Sequence, residues 1–407
     1  MSTSPVSTLD AYIYDGLRTP FGRHAGALAK VRPDDLLGGV IKAVVARSAF
    51  KAADIDDVTI GCTNQAGEDA RNVARHASLV AGIPVEVPAS VTNRLCGSGL
   101  NALIHASHAI TCGEANIVVI GGVESMSRAP FVMAKAEGAY ARDFRMFDST
   151  IGARFPNPKV EKAFGAHTMP ETADNMARDF QLNREDCDVF ALASQQKCAR
   201  AKADGFFKGE IHAVAVAAGK GKPDTMVTED EHPRPQTTLA DLQKLKAIFE
   251  GGVTTAGNAS GVNDGAAALI VGSRKAGEAA GKTPLVRIVA TAVAGVAPRI
   301  MGYGPVPAAQ KALERAGLTI KDMDIIEINE AFAAQVLGCL KGLGVDFKDA
   351  RVNPNGGAIA VGHPLGASGA RIALSTAREL QRTGKRYALA SMCIGVGQGI
   401  AVVMERV

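Results

Sequence analysis

Cys96, Asn329, His363 and Cys393 stand in four similar settings. Each lies in a glycine-rich or polar turn that follows a hydrophobic run: "NRLCGSG", "EINEAFAAQ", "NPNGGAIAVGHPLGASG" and "SMCIGVGQG". The types are complementary. A cysteine nucleophile requires a base, and His363 supplies one. A second cysteine can exchange a proton with carbon or sulfur. Asn329 can hold a water or donate to a developing oxyanion. The glycines leave backbone N–H groups open to negative charge.

The elements that must position these groups can be read from the same stretches. After Cys96, Leu100, Leu103, Ile104 and Ile110 recur at helical spacing until Gly113, a C-terminal stop. The run "VEVPASVTN" precedes it. Cys96 is therefore expected on a strand-to-helix turn, where the positive helix end favours the thiolate and lowers the thiol pKa.

The arrangement occurs twice. An amphipathic helix, a short loop, an Asp-initiated buried strand and a polar loop run from Pro33, and again from Pro305. The strand starts Asp57 and Asp324 are 267 residues apart, as are Cys96 and His363. Each of the latter opens a helix followed by a hydrophobic strand. We read two copies of one strand-and-helix domain, with Cys96 and His363 at equivalent helix N-termini facing a shared cleft.

The texture changes between the copies. A helical stretch carries Glu171 three residues after Thr168, the spacing of a capping box. A polar segment, "KGKPDTMVTEDEHPRPQTTLAD", follows it, and "TTAGNASGVNDGAAALIVGS" then returns to a glycine-rich loop and a buried strand that completes the first copy's sheet. The expected division is 1–125 plus 256–274 for the first half, 126–255 for an inserted loop or substrate-binding domain, and 275–407 for the second half.

Composition bounds the function. The chain is 47% hydrophobic and 21% charged, an ordinary soluble make-up. A net charge of +4 is too slight to argue for nucleic acid and suits an anionic small substrate. Seven irregularly spaced cysteines without a CxxC pair predict reduced thiols rather than a disulfide framework. The N-terminal stretch has no basic region or long apolar segment, and no window approaches a membrane span. A cytoplasmic location, no membrane and no nucleic-acid partner are expected.

Taken together, "GLRTPFGRHAG", "CGSG", "GGVESMS", "VTTAGNASGVNDGAAA", "NEAF", "GGAIAVGHPLGASGAR" and "CIGVGQG" resemble the thiolase family over essentially the whole chain. These enzymes cleave or form 3-oxoacyl-CoA thioesters. The resemblance implies an α/β thiolase fold, with two duplicated halves packed as a five-layer αβαβα core and an inserted loop domain. It implies that Cys96 is the acyl-carrying nucleophile and that His363 activates it and helps bind the thioester oxygen. Asn329 would position a water in that oxyanion site, and Cys393 would be the acid/base at the acetyl-CoA methyl carbon. The N–H groups of Cys96 and Gly395 would form a second oxyanion site. Ala256, Gly257 and Ser260 would line the pantetheine arm, Arg234 would lie near the nucleotide, and His167 would touch the pantetheine or acyl group. Coenzyme A and acyl-CoA are implied as substrates. No metal and no permanently bound cofactor is implied, and the assembly implied is a homotetramer, a dimer of dimers.

Further stretches, including "RAPFVMAKAEGAYARD", "EDEHPRPQTTLADLQKLKAIF" and "GVAPRIMGYGP", resemble family members that cleave 3-oxoadipyl-CoA. A distal carboxylate calls for a cation, and Arg128, Arg142, Arg145 and Arg154 lie in the insertion. The alternatives are a thiolase with a neutral acyl pocket, a decarboxylating ketosynthase, and a non-catalytic acyl-CoA or lipid binder. The paired cysteines argue against the binder, and "GHP" with the terminal "CIG" favours thiolase over ketosynthase. Glu330 is assigned a supporting role beside Asn329.

Overall fold

A computed structural model describes residues 9–407. The first eight residues, part of the N-terminal stretch read for a leader and of the first expected domain, lie outside the described residues.

Nine strands form the body of the sheet: β1 (Tyr12–Arg18), β2 (Asp57–Gly61), β3 (Ala89–Thr92), β4 (Ile117–Ser125), β5 (Asn263–Gly272), β6 (Val286–Gly295), β7 (Ile325–Ile328), β8 (Tyr387–Ile394) and β9 (Gln398–Arg406). Six helices pack on them: α1 (Pro33–Arg47), α2 (Val73–Val80), α3 (Ser98–Thr111), α4 (Pro305–Ala316), α5 (Ala333–Leu343) and α6 (Leu365–Thr383). β4 and β5 are buried along their whole length. That is why they read as continuous apolar runs rather than alternating ones. Proline opens both α1 and α4, where a missing N–H costs nothing.

The strand order is β7-β8-β9-β6-β1-β5-β4-β2-β3, with the two-residue strand Gly22–Arg23 attached to β5. The two halves mirror each other about the β6–β1 seam. In the first, β2 is parallel to β4, β4 antiparallel to β5, and β5 antiparallel to β1. In the second, β7 is parallel to β8, β8 antiparallel to β9, and β9 antiparallel to β6. Among the described residues, only Tyr12–Arg287 and Ile13–Val286 pair across the seam.

Three large apolar clusters define five layers. α1 and α2 cover the outer face of the first half through residues such as Leu37, Ile41, Ile60 and Val119. α4 and α5 cover the second half through Ala309, Val336, Ile328 and Leu389. Between the halves lie α3 and α6, whose Leu100, Leu103, Ile372 and Leu374 meet strand residues of both halves, among them Ile120, Ile288 and Met392.

α3 and α6 start 267 residues apart and touch backbone to backbone. A Cβ on Gly99 would fall 2.7 Å from the Gly366 carbonyl oxygen, and one on Gly369 would fall 2.1 Å from the Leu100 nitrogen. Gly99 and Gly366 are equivalent positions, so the pseudo-two-fold axis runs between these two helix starts.

The segment 126–255 carries two small hairpins, Phe131–Met133 with Met146–Asp148 and Val214–Val216 with Thr225–Val227. Its main helices are Met169–Asp179 and Arg184–Ala203. Thr168 and Glu171 form the reciprocal capping box.

Candidate active site

Cys96 and His363 each stand three residues before the glycine at the axis, so the α3–α6 contact brings both to one end of the core. Helix α3 begins at Ser98 with Gly97 as its cap, and Cys96 occupies the turn before it. Leu95 has a positive φ of 45°, a strained conformation for a leucine that turns the chain sharply into the helix. Gly97 packs directly on Ile394, where a Cβ would fall 2.5 Å from Ile394 Cδ1. The Cys96 turn thus abuts the β8–β9 turn, and the Gly395 N–H lies on the Cys96 side, where it favours the thiolate. Leu95 Cδ1 and Met169 Sδ flank Gly395.

Cys393, at the end of β8, lies close enough to Cys96 for charge on one to be felt by the other. It is buried in an apolar cluster with Ala173, Ala259, Met301, Ala331 and Phe332. Burial holds its thiol well above the ordinary range.

The Cys96 thiol is also raised, from 9.0 to about 11, chiefly by burial, with the Gly395 N–H opposing. This corrects the expectation of a lowered pKa. A helix N-terminus is worth about 0.3–1 kcal/mol, less than one pKa unit, and here burial outweighs it. At neutral pH Cys96 is a thiol, which would have to hand its proton to a base before it could act as a nucleophile.

His363 is buried and neutral. Burial, and secondarily Arg371, lower its pKa to about 3. Its backbone N–H donates to Asn263 Oδ1 at 2.8 Å, and its Nδ1 lies 2.6 Å from Ser368 Oγ. Ser368 donates its only proton to the Pro364 carbonyl at 2.9 Å, so it accepts from Nδ1–H. Nε2 is then the basic nitrogen. It faces Asn329 Nδ2 at 3.5 Å. The tautomer is therefore set by a serine on the first turn of α6.

Asn329 follows β7 and is fully buried. Its N–H donates to Ser391 at 2.9 Å, and Glu330 beside it accepts from Ser194, Asn353 and the Ile359 N–H. Glu330 thus ties the "NEAF" turn to the "NPNGGAIAV" loop. The "AGNAS" segment docks on the same turn: the Ser260 N–H donates to Ala331, the Ala333 N–H to Asn258, and Ala259 bridges Phe332. Ala256 is exposed, while Gly257 and Ser260 are half-buried. Arg234 is exposed, its backbone N–H held by Gln195 at 2.8 Å. Its loop reaches the "AGNAS" side, since a Cβ on Gly261 would fall 2.4 Å from His232. His167 is exposed just before the helix that carries Met169.

Four groups escaped the sequence reading: Ser368, Arg371, Asn263 and Glu124. The first two lie inside the quoted "HPLGASGAR" stretch, five and eight residues after His363. The Glu124 carboxylate, in β4, accepts from Thr63, Asn64 and the Gly366 N–H, locking the entry to α6 against the loop that follows β2. Of the four arginines, Arg128 is spoken for by Glu68, with Nη2 at 2.6 Å. Arg154 donates to the Ser149 carbonyl. Arg142 and Arg145 are exposed, without an ion-pair partner among the described residues.

A thiol nucleophile, a neutral imidazole, a second buried thiol and backbone N–H donors at one locus can support acyl transfer with proton transfer at carbon. The chain belongs to the thiolase family. The family model "Thiolase, N-terminal domain" matches residues 11–275, and "Thiolase, C-terminal domain" matches 282–406. It is 57% identical over 400 residues to the 3-oxoadipyl-CoA/3-oxo-5,6-dehydrosuberyl-CoA thiolase of Escherichia coli, covering 98% of this chain and 100% of that one. It is 54% identical to a beta-ketoadipyl-CoA thiolase of Acinetobacter baylyi, covering 98% and 99%. Among solved structures, human mitochondrial 3-ketoacyl-CoA thiolase in complex with CoA superposes with a TM-score of 0.89 at 41% identity, covering 98% of each chain. The acetyl-CoA acetyltransferase of Bacillus anthracis superposes at 0.90 and 36%, covering 98% and 100%. The chain is accordingly an acyltransferase of the thiolase fold that uses CoA substrates.

Proposed function

We propose that the protein cleaves 3-oxoadipyl-CoA with coenzyme A to succinyl-CoA and acetyl-CoA, in the catabolism of aromatic compounds. The observation that supports the chemistry is the placement of a half-buried thiol, Cys96, a buried thiol, Cys393, and a neutral His363 near the pseudo-two-fold axis. The dicarboxylate substrate rests on the near-full-length likeness to beta-ketoadipyl-CoA thiolases.

Cys96 passes its proton to His363 Nε2 and attacks the C3 carbonyl, whose oxyanion is held by the Cys96 and Gly395 N–H groups. Collapse breaks the C2–C3 bond and leaves the acyl group on sulfur. The electron pair goes to C2 as the acetyl-CoA enolate. Its thioester oxygen is met by His363, now a donor at Nε2, and by a water on Asn329. Cys393 protonates C2, and acetyl-CoA departs. The CoA thiol then attacks the acyl–Cys96 thioester and gives its proton to the Cys393 thiolate. Cys96 leaves as thiolate and recovers its proton from His363. Two half-reactions through one covalent intermediate require ping-pong kinetics. No resident metal or cofactor enters this scheme.

In this reading Ala256, Gly257, Ser260 and His167 line the pantetheine arm and Arg234 lies by the nucleotide. The chain divides as 1–125 with 256–274, 126–255, and 275–407. It works as a cytoplasmic homotetramer. The test is CoA-dependent cleavage of 3-oxoadipyl-CoA against acetoacetyl-CoA and a neutral six-carbon 3-oxoacyl-CoA. The dicarboxylate is expected to give the highest kcat/KM. Equal cleavage of the neutral six-carbon substrate would overturn the substrate assignment and leave the thiolase chemistry standing.

A further inference from the structure

We propose that Arg371 is a positioning residue for this reaction, setting which way the Asn329 amide points. The inference rests on the proposed role of Asn329 at the thioester oxygen. Arg371 is buried on the second turn of α6. Its Nη1 donates to Glu327 Oε1 at 3.0 Å, and its Nη2 reaches Asn329 Oδ1 at 3.4 Å. Glu327 and Asn329 lie two residues apart where β7 ends, so one guanidinium spans both.

A side-chain amide has an acceptor end and a donor end. A cationic donor on Oδ1 forces Nδ2 to the opposite side, and there it faces His363 Nε2. If the amide turned over, Oδ1 would face the basic nitrogen, two acceptors would oppose each other, and Oδ1 would meet the guanidinium no longer. The water held there would then meet a lone pair in place of the Nδ2 donor that orients it toward the enolate oxygen. Glu327 anchors the guanidinium so that the second branch of the fork is aimed rather than free. An ammonium cannot reproduce this, because it lacks the planar two-pronged geometry. The same side chain places positive charge near His363, which supports the neutral base without being needed for the argument.

The role predicts a split between half-reactions. Deuterium exchange into the acetyl-CoA methyl needs the Asn329 site, whereas acylation of Cys96 by a simple acyl-CoA such as succinyl-CoA forms no enolate and uses the Cys96 and Gly395 N–H groups. Arg371→Met is expected to slow exchange by about 10- to 100-fold, less than the roughly 10²–10³ of losing an oxyanion donor outright. Acylation of Cys96, followed by mass spectrometry, should change by no more than about threefold, within the scatter expected of an uncoupled site. Arg371→Lys should recover part of the exchange rate. In an Asn329→Ala background, Arg371→Met should cost no further exchange, since the two act through one group. Should Arg371→Met fail to fold, Glu327→Gln, which keeps an acceptor but frees the fork, carries the same cycle with Asn329→Ala. Additive losses in the double variant, or exchange and acylation falling together, overturn the proposal. A normal exchange rate in Asn329→Ala itself would instead remove Asn329 from the mechanism.

Discussion

At the scale of single residues, the site is governed by burial more than by fixed charge. Cys96, raised to about 11, and His363, lowered to about 3, form a neutral pair at rest. Deprotonation of Cys96 near neutral pH is therefore expected to need a base. Alkylation of Cys96 in free enzyme should keep rising from pH 7 to pH 9, because the thiolate fraction still grows there. A plateau by pH 7 would show a thiol already ionised. The two cysteines should separate by half-reaction. Cys96→Ala is expected to abolish acyl transfer, because no other group holds the acyl intermediate. Cys393→Ser should still form the Cys96 adduct but lose methyl-proton exchange, and normal exchange in that variant would exclude Cys393. Ser368→Ala removes the acceptor that pins His363 Nδ1–H. An unsatisfied buried donor costs about 1–3 kcal/mol, so kcat should fall about 10- to 100-fold with KM little changed. An unchanged kcat would mean that another group holds the tautomer.

At the scale of elements, the catalytic turns depend on how closely α3 and α6 approach. Gly99 and Gly369 allow backbone contact between the two helices, and a side chain at either meets main chain rather than a flexible tip. Gly369→Ala, with the Leu100 nitrogen 2.1 Å from the new Cβ, should force the helices apart. Overpacking of this kind costs about 1–3 kcal/mol. The urea midpoint should drop, and kcat with it, because Cys96 and His363 ride on these helix starts. A variant with wild-type midpoint and kcat would show that the contact does not position the site. This layer was partly legible in the sequence. The 267-residue offset could be read because both copies keep the same number of residues between strand, turn and helix. What escaped depends on three-dimensional neighbours. Ser368 and Arg371 look like ordinary helix residues until α6 places them beside His363 and Asn329. The sign of the Cys96 pKa shift escaped because a helix start can be recognised in a sequence, whereas the packing of Ile394 and Leu95 around it cannot.

At the scale of the whole molecule, the duplication accounts for what the pseudo-two-fold axis makes and for what it leaves outside. The core buries most of its apolar side chains in three large clusters. The insertion does not repeat in the second half, and it behaves differently. Phe131, Met133, Phe144, Met146, Ile151 and Phe155 are each more than half exposed on or beside the 131–148 hairpin. Scattered exposed apolar residues are ordinary, but six large ones between residues 131 and 155 are more than a scatter. The proposed homotetramer offers an occupant, a second copy of the same projection, which a closed symmetric assembly would supply. Replacing Phe131 and Met133 together by Asp should then place like charges at the contact. Light scattering should report a mass below four chains, with kcat per Cys96 largely retained because neither residue lies among the catalytic groups. If the double variant keeps the wild-type mass, this hairpin does not hold the assembly together. If the wild-type protein is itself monomeric at micromolar concentration, the tetramer reading falls.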